Sequence, residues 1–136
     1  GDNVSNFDLS KMVRHYERNQ NDTLALYDVK DYSLAKLYGI VALDGSKITN
    51  LKEKPSTPSS TLASTALWLL SSSGQQSLLN YLDLGVEKDS MGAFMSHHCK
   101  HEHVDGIVYN NSWFDIGSPE SYQAAKEWAN SEDTLI

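Results

Sequence analysis

The stretch Trp113-Phe114-Asp115-Ile116-Gly117-Ser118-Pro119-Glu120-Ser121-Tyr122 limits what this chain can fold into more than any other. It reads as the end of a strand, a carboxylate, a glycine turn and the start of a helix. Ser118 suits an N-cap, because its hydroxyl can accept from an unpaired N–H of the first turn. Pro119 falls at the first helical position, where a missing N–H costs nothing, and Glu120 puts negative charge near the positive end of the dipole. Tyr122, Ala125 and Ala129 follow at helical spacing, with Trp128 beside them. Asp115 therefore falls where a strand gives way to a helix, the edge of an open α/β sheet at which ligands bind. The alternative is that Asp115 only forms the turn before Gly117, since turns are rich in Asp and Gly for backbone reasons.

A chain of 136 residues, 40% hydrophobic, has room for one domain, residues 1–136, around one core. Its net charge of −7 argues against a nucleic-acid polymer or an anionic membrane as partner. It leaves room for a nucleotide held by a few local cations. No apolar run approaches the ~20 residues of a membrane span, and no signal peptide is expected. The lone Cys99 has no partner for an internal disulfide, which fits a reducing, cytoplasmic setting. The chain opens on Gly1-Asp2-Asn3 rather than Met, so sequence upstream is expected.

Asp8 or Ser10 can cap a helix over Leu9 to Asn19, with Met12, Val13 and Tyr16 on one face. Thr23 to Val29 reads as a strand, and Tyr32 to Lys36 as one helical turn. Tyr38 to Leu43 and Ile48 to Lys52 are strands joined at Asp44-Gly45, a hairpin turn that favours φ > 0. Residues 55–61 are rich in Ser, Thr and Pro and form a surface loop. Leu62 to Leu70 is the most apolar segment and reads as a buried strand. Ser71-Ser72-Ser73 can cap a helix carrying Leu78, Leu79 and Leu82, and Asp89 the next, with Met91, Phe94, Met95 and Cys99 along one side. Val104 to Tyr109 and Ser112 to Phe114 are strands. The order β-α-β-β-β-β-α-α-β-β-α predicts an α/β fold with a mixed sheet.

Functional side chains recur at strand ends. Asp2 and Asp115 are short carboxylates suited to sharing one Mg²⁺, which usually takes one or two carboxylates with phosphate oxygens and waters. Lys54 is a point cation suited to a phosphate, and Gly39 lets a ligand approach the backbone. Singly, each has a plainer account: a solvated end for Asp2, an exposed strand end for Lys54, a bulge for Gly39.

In combination they form a pattern. Gly1-Asp2-Asn3 with Phe7-Asp8-Leu9, Tyr38-Gly39-Ile40-Val41, Glu53-Lys54-Pro55, Ser64-Thr65 and Trp113 to Tyr122 follow in this order through nearly the whole chain. The pattern resembles the C-terminal part of the nucleotidyltransferases that join a sugar 1-phosphate to an NTP, such as glucose-1-phosphate thymidylyltransferases and mannose-1-phosphate guanylyltransferases. The resemblance implies a mixed, mainly parallel Rossmann-like sheet without its N-terminal nucleotide-binding half. It implies that Asp2 and Asp115 hold a catalytic Mg²⁺, that Lys54 contacts the sugar phosphate, and that Glu53 hydrogen-bonds sugar hydroxyls. It further implies substrate contacts at the Gly39 backbone and at Ser64 and Thr65. The implied reaction is attack by the sugar-phosphate oxygen on the α-phosphorus of the NTP, with pyrophosphate leaving.

Two departures stand out. The family usually has Gly where this chain has Ala66, and a methyl group there is expected to crowd the sugar pocket. No glycine-rich phosphate loop occurs in the chain, so the nucleotide-reading part, ~60–100 residues at ~30 per βαβ unit, is expected upstream. Alone, the chain is expected to be inactive and to self-associate as a homo-oligomer through the exposed sheet edge.

The run His97-His98-Cys99-Lys100-His101-Glu102-His103 is the other conspicuous feature. His97/His101 and Cys99/His103 are spaced i, i+4, as a helical zinc pair would be. The preferred reading is a solvated basic helix end that complements the dipole. The rival to an enzyme is a non-catalytic module that binds a sugar phosphate or a partner chain.

Overall fold

Five strands close on themselves in the order β2-β5-β3-β4-β6. They are β2 (Asp22–Asp28), β3 (Gly39–Asp44), β4 (Lys47–Glu53), β5 (Leu62–Leu69) and β6 (Val104–Tyr109). The computed structural model describes residues 2–85 and 91–131. The chain divides into two compact units, Leu9–Asn110, which holds the five strands, and a smaller one made of Gly1–Asp8 with Asn111–Ile136.

In the larger unit, β2 is buried along most of its length, from Asp22 to Leu26. This accounts for a run that is apolar on both faces rather than alternating. It pairs with β6 in parallel, Asp22↔Val104 to Tyr27↔Tyr109, and with β5 antiparallel. The described residues also form five helical segments: α1 (Ser10–Asn19), α2 (Tyr32–Ala35), α3 (Ser72–Asp83), α4 (Met91–His101) and, in the smaller unit, α5 (Pro119–Ser131). None of the described helices is long and apolar enough to cross a membrane. The core gathers Leu24 and Leu26 of β2, Val41, Ile48 and Leu51 of the β3–β4 hairpin, Tyr81 of α3, and Phe94, Met95 and Cys99 of α4. Ser96 of α4 ties the helix to β4 by donating to the Leu51 carbonyl at 2.8 Å.

Strand direction departs from the expected mainly parallel sheet. Among the described residues only β2 and β6 run parallel. β3 and β4 are antiparallel because a tight hairpin joins them, with Gly45 at φ +60° supplying the left-handed turn residue. β5 lies between β2 and β3 and is antiparallel to both. The caps also differ in one place. The residue before α1 is Leu9, which makes no side-chain cap bond, whereas Ser71 caps α3 as expected by accepting from the Gly74 N–H at 3.0 Å. The expected cap at Asp89 lies outside the described residues.

The smaller unit pairs β1 (Asn3–Ser5) antiparallel with β7 (Trp113–Asp115). α5 follows the turn after β7. The Ser121 N–H donates to Ser118 Oγ at 3.1 Å, and the Ser118 N–H donates to Ser121 Oγ at 3.1 Å. This reciprocal exchange satisfies orphan donors of the first turn in the manner of a capping box. The ring of Trp128 then lies 5.3 Å from that of Phe114, laying the helix against β7.

Candidate functional site

The smaller unit carries two of the carboxylates expected to act. The register sets Asn3 directly opposite Asp115, Val4 opposite Phe114 and Ser5 opposite Trp113. One step further, the Ile116 N–H donates to the Asp2 carbonyl at 2.6 Å. Asp2 and Asp115 are thus diagonal neighbours at one end of this two-stranded ladder, although most of the chain separates them in sequence. Asp2 is exposed and Asp115 half-buried. Asn3 Nδ2 donates to Asp2 Oδ1 at 2.9 Å, and the Trp113 indole N–H donates to Asn3 Oδ1 at 2.9 Å. In the sequence Asn3 carries no signal beyond its place in Gly1-Asp2-Asn3. Its role shows once Trp113, 110 positions away, is beside it.

The remaining candidates belong to the larger unit. Gly39 is directly opposite Glu53 in the β3–β4 register. A Cβ on Gly39 would sit 2.9 Å from Glu53 Oε2 and 3.7 Å from Ser64 Cβ. Gly39, Glu53 and Ser64 therefore converge, and the missing side chain of Gly39 makes the room. Lys54, exposed at the end of β4, has φ +41°, a left-handed conformation uncommon for a side-chain-bearing residue. Its N–H is held by the Tyr38 carbonyl at 3.0 Å, so the strand end is pinned beside Gly39. Thr65 is buried, and its hydroxyl donates to the Ala25 carbonyl at 2.8 Å. Ala66, directly after it, has φ +59° and is exposed. It lies in the bulge where the β2–β5 register shifts, Leu26 facing Ser64 and Leu24 facing Trp68. A glycine at this position has a backbone reason, freedom at positive φ.

The histidine run is neither a solvated helix end throughout nor a metal cluster. Among the described residues no group of three or more His, Cys, Asp or Glu could hold a metal ion. His98 is buried and bonds Asp22 Oδ2 at 2.7 Å. Asp22 Oδ1 accepts from the Ser71 N–H at 2.7 Å, and Gly74 leaves the space the carboxylate fills. His97 lies beside the rings of Tyr81 and His101. Burial lowers its pKa, aided by the positive charges of His101, His98 and Lys100. Cys99 is buried, which pushes its thiol up to about 11 and keeps it from acting as a thiolate.

His103 joins a second centre. Asp105, only 1% exposed, bonds His15 at 2.8 Å, His103 at 3.0 Å, Asn21 at 3.1 Å and Ser46 at 3.0 Å. Burial pushes this carboxyl up, but these hydrogen bonds together outweigh it and hold the pKa at about 2. Both carboxylates lie at the N-terminal ends of the parallel strands β2 and β6, and both act as structural anchors.

The family model for nucleotidyl transferases matches residues 1–132. The chain belongs to the nucleotidyl transferase family. Among its relatives is a Sulfolobus acidocaldarius protein provisionally named mannose-1-phosphate guanyltransferase. It is 30% identical over 125 residues, covering 90% of this chain and 32% of that protein. A glucose-1-phosphate adenylyltransferase of Lachnospira eligens is 30% identical over 129 residues, covering 92% of this chain and 30% of the relative. A UTP-bound UGPase of Acinetobacter baumannii has the same fold at TM-score 0.74 and 22% identity, covering 98% of this chain and 50% of that one. The chain thus spans less than a third of the curated relatives, 32% and 30% of their lengths, and half of this solved structure.

Proposed function

We propose that this chain is the sugar-phosphate- and metal-binding portion of an enzyme that joins a sugar 1-phosphate to an NTP, releasing pyrophosphate. What supports the reading is the pairing of β1 with β7, which makes Asp2 and Asp115 neighbours, in a chain of the nucleotidyl transferase family. Two hard carboxylate donors at adjacent strand ends fit Mg²⁺, which takes few protein ligands and completes its shell with substrate oxygens and water. Asp2 and Asp115 would hold the ion, and when bound it supplies positive charge at the transferring phosphoryl group.

The other residues bind and orient. Lys54 meets the phosphate of the sugar 1-phosphate with a charge-assisted contact. Glu53 accepts from sugar hydroxyls. Gly39 lets the ring come close to the backbone, and Ser64 lines the same spot. Phosphoryl transfer of this kind asks little covalent help from the protein, so positioning carries most of the acceleration. Self-association belongs to the same proposal, since Leu79 and Leu84 stand 55% and 68% exposed, and sedimentation velocity checks it.

The test is to measure pyrophosphate release by the complete protein with several NTPs against several sugar 1-phosphates. Turnover with one pair, lost in Asp115→Asn, supports the enzyme. Sugar-phosphate binding without turnover would favour a non-catalytic module.

A further inference from the structure

Asn3 is an exposed residue whose amide is nonetheless held at both ends. Trp113, 9% exposed, is a rigid anchor on one side, and the Asp2 carboxylate lies on the other. The chemistry of the partners fixes which way the amide faces. An indole N–H only donates, so it must meet the amide oxygen, and an ionised carboxylate only accepts, so it must meet the amide NH₂. Turning the amide over would set donor against donor and acceptor against acceptor.

Register adds a second constraint. Asn3 directly faces Asp115, so the two side chains share one face of the β1–β7 pair. Strand alternation alone would send the neighbouring Asp2 side chain to the other face. The bond from Asn3 Nδ2 to Asp2 Oδ1 draws that carboxylate toward the Asp115 side. It occupies Oδ1 and leaves Oδ2 with no hydrogen-bond partner among the described residues.

We propose that Asn3 is a positioning residue: keyed by the Trp113 indole, its amide orients the Asp2 carboxylate so that Asp2 and Asp115 present to one divalent cation. The inference rests on the reading of Asp2 and Asp115 as metal ligands. Residues that hydrogen-bond a ligating carboxylate set its direction, and their loss typically weakens metal affinity about 10- to 100-fold.

The experiment titrates the complete protein with Mn²⁺ alone, with no nucleotide or sugar, and reads free Mn²⁺ by electron paramagnetic resonance. The variants are Asn3→Ala, Asn3→Leu, Trp113→Phe and Asp2→Asn, each also melted thermally. Asp2→Asn should abolish binding. Asn3→Ala and Asn3→Leu should weaken it about tenfold or more, and Trp113→Phe should weaken it less, since the amide loses its key but keeps its donor. Because Asn3 is exposed, the melting temperature of its variants should stay near wild type. Wild-type affinity in both Asn3 variants, with binding lost in Asp2→Asn, would overturn the inference and leave the metal reading standing. Wild-type affinity in Asp2→Asn would overturn the metal reading itself, and the inference with it. Weaker binding accompanied by a large drop in melting temperature would make Asn3 merely structural and would also overturn it.

Discussion

Asp22 and His98, 76 positions apart, meet at 2.7 Å inside the larger unit. The contact joins the start of β2 to α4, and the other oxygen of Asp22 takes the backbone N–H of Ser71 ahead of α3. His98→Leu would leave a buried carboxylate with one partner fewer. Loss of a buried hydrogen bond to a charged group costs about 1.5–3 kcal/mol. Urea denaturation of His98→Leu should show a loss of that order, and Gly74→Ala, which pushes a methyl group into the same carboxylate, should also destabilise. A loss below about 1 kcal/mol in His98→Leu would mean the pair contributes little.

Acid stability should depend on Asp105. Its folded pKa of about 2 lies below the ordinary 3.8. A carboxyl depressed on folding contributes stability that is fully present above the unfolded value and fades as pH falls through the folded one. The contribution should therefore disappear between about pH 4 and pH 2, and amount to about 2 kcal/mol at neutral pH. Denaturation curves of wild type and Asp105→Asn across that window decide it. If both lose stability in parallel as pH falls, the acid sensitivity originates elsewhere.

Ala66→Gly should stabilise the chain. Ala66 holds φ +59° in the β5 bulge, a conformation that costs an L-residue about 1–2 kcal/mol and glycine almost nothing. Part of that gain is returned through the greater freedom of glycine in the unfolded chain. The net expectation is a melting temperature raised by a few degrees, about 0.5 kcal/mol or more. A lowered melting temperature would show that the bulge relies on the Ala66 methyl.

Lys54 and Gly39 can be tested together in the complete protein. Lys54→Ala should lose about 1.5–3 kcal/mol of transition-state binding, felt mainly with the sugar phosphate. Gly39→Ala should displace the Glu53 carboxylate, 2.9 Å from the new Cβ, and raise KM for the sugar with little effect on KM for the NTP. Unchanged kinetics in Lys54→Ala would reassign the lysine to the solvated surface.

The local layer of the fold was readable from residue order. Val104 to Tyr109 and Leu62 to Leu70 were bounded by polar or Ser-rich flanks, and β6 and β5 occupy those positions nearly to the residue. Ser118 and Pro119 likewise announced α5, because caps and first-turn prolines act within a few residues. What escaped depends on distant partners. Strand direction follows from where β5 inserts, which no window of sequence contains. In sequence His98 is indistinguishable from the exposed His101 and His103 of the same run; only the fold sets it beside Asp22 and against the Phe94 ring, at 5.1 Å. Asp2, Asp115, Gly39, Glu53, Lys54 and Ser64 were singled out by motif, whereas the Asn3 relay needed the β1–β7 register.

The five-stranded ring is closed unevenly. β4 meets β6 through a single register pair, Lys47↔Asp105, while β2 and β6 run together from Asp22↔Val104 to Tyr27↔Tyr109. A long ladder works like a zipper. Its backbone bonds are indifferent to side-chain identity, so the pairing itself does not hang on any one residue, even though the side chains along it fill the core. The β4–β6 junction works like a clasp. Its backbone contribution is small, and the side chains of Ser46, His15, Asn21 and His103 converge on the one residue that makes the pairing. What holds the ring shut therefore differs around it: backbone pairing where β2 and β6 lie side by side, and at the β4–β6 junction a set of side chains, so that closure there depends on which residues are present rather than on how many.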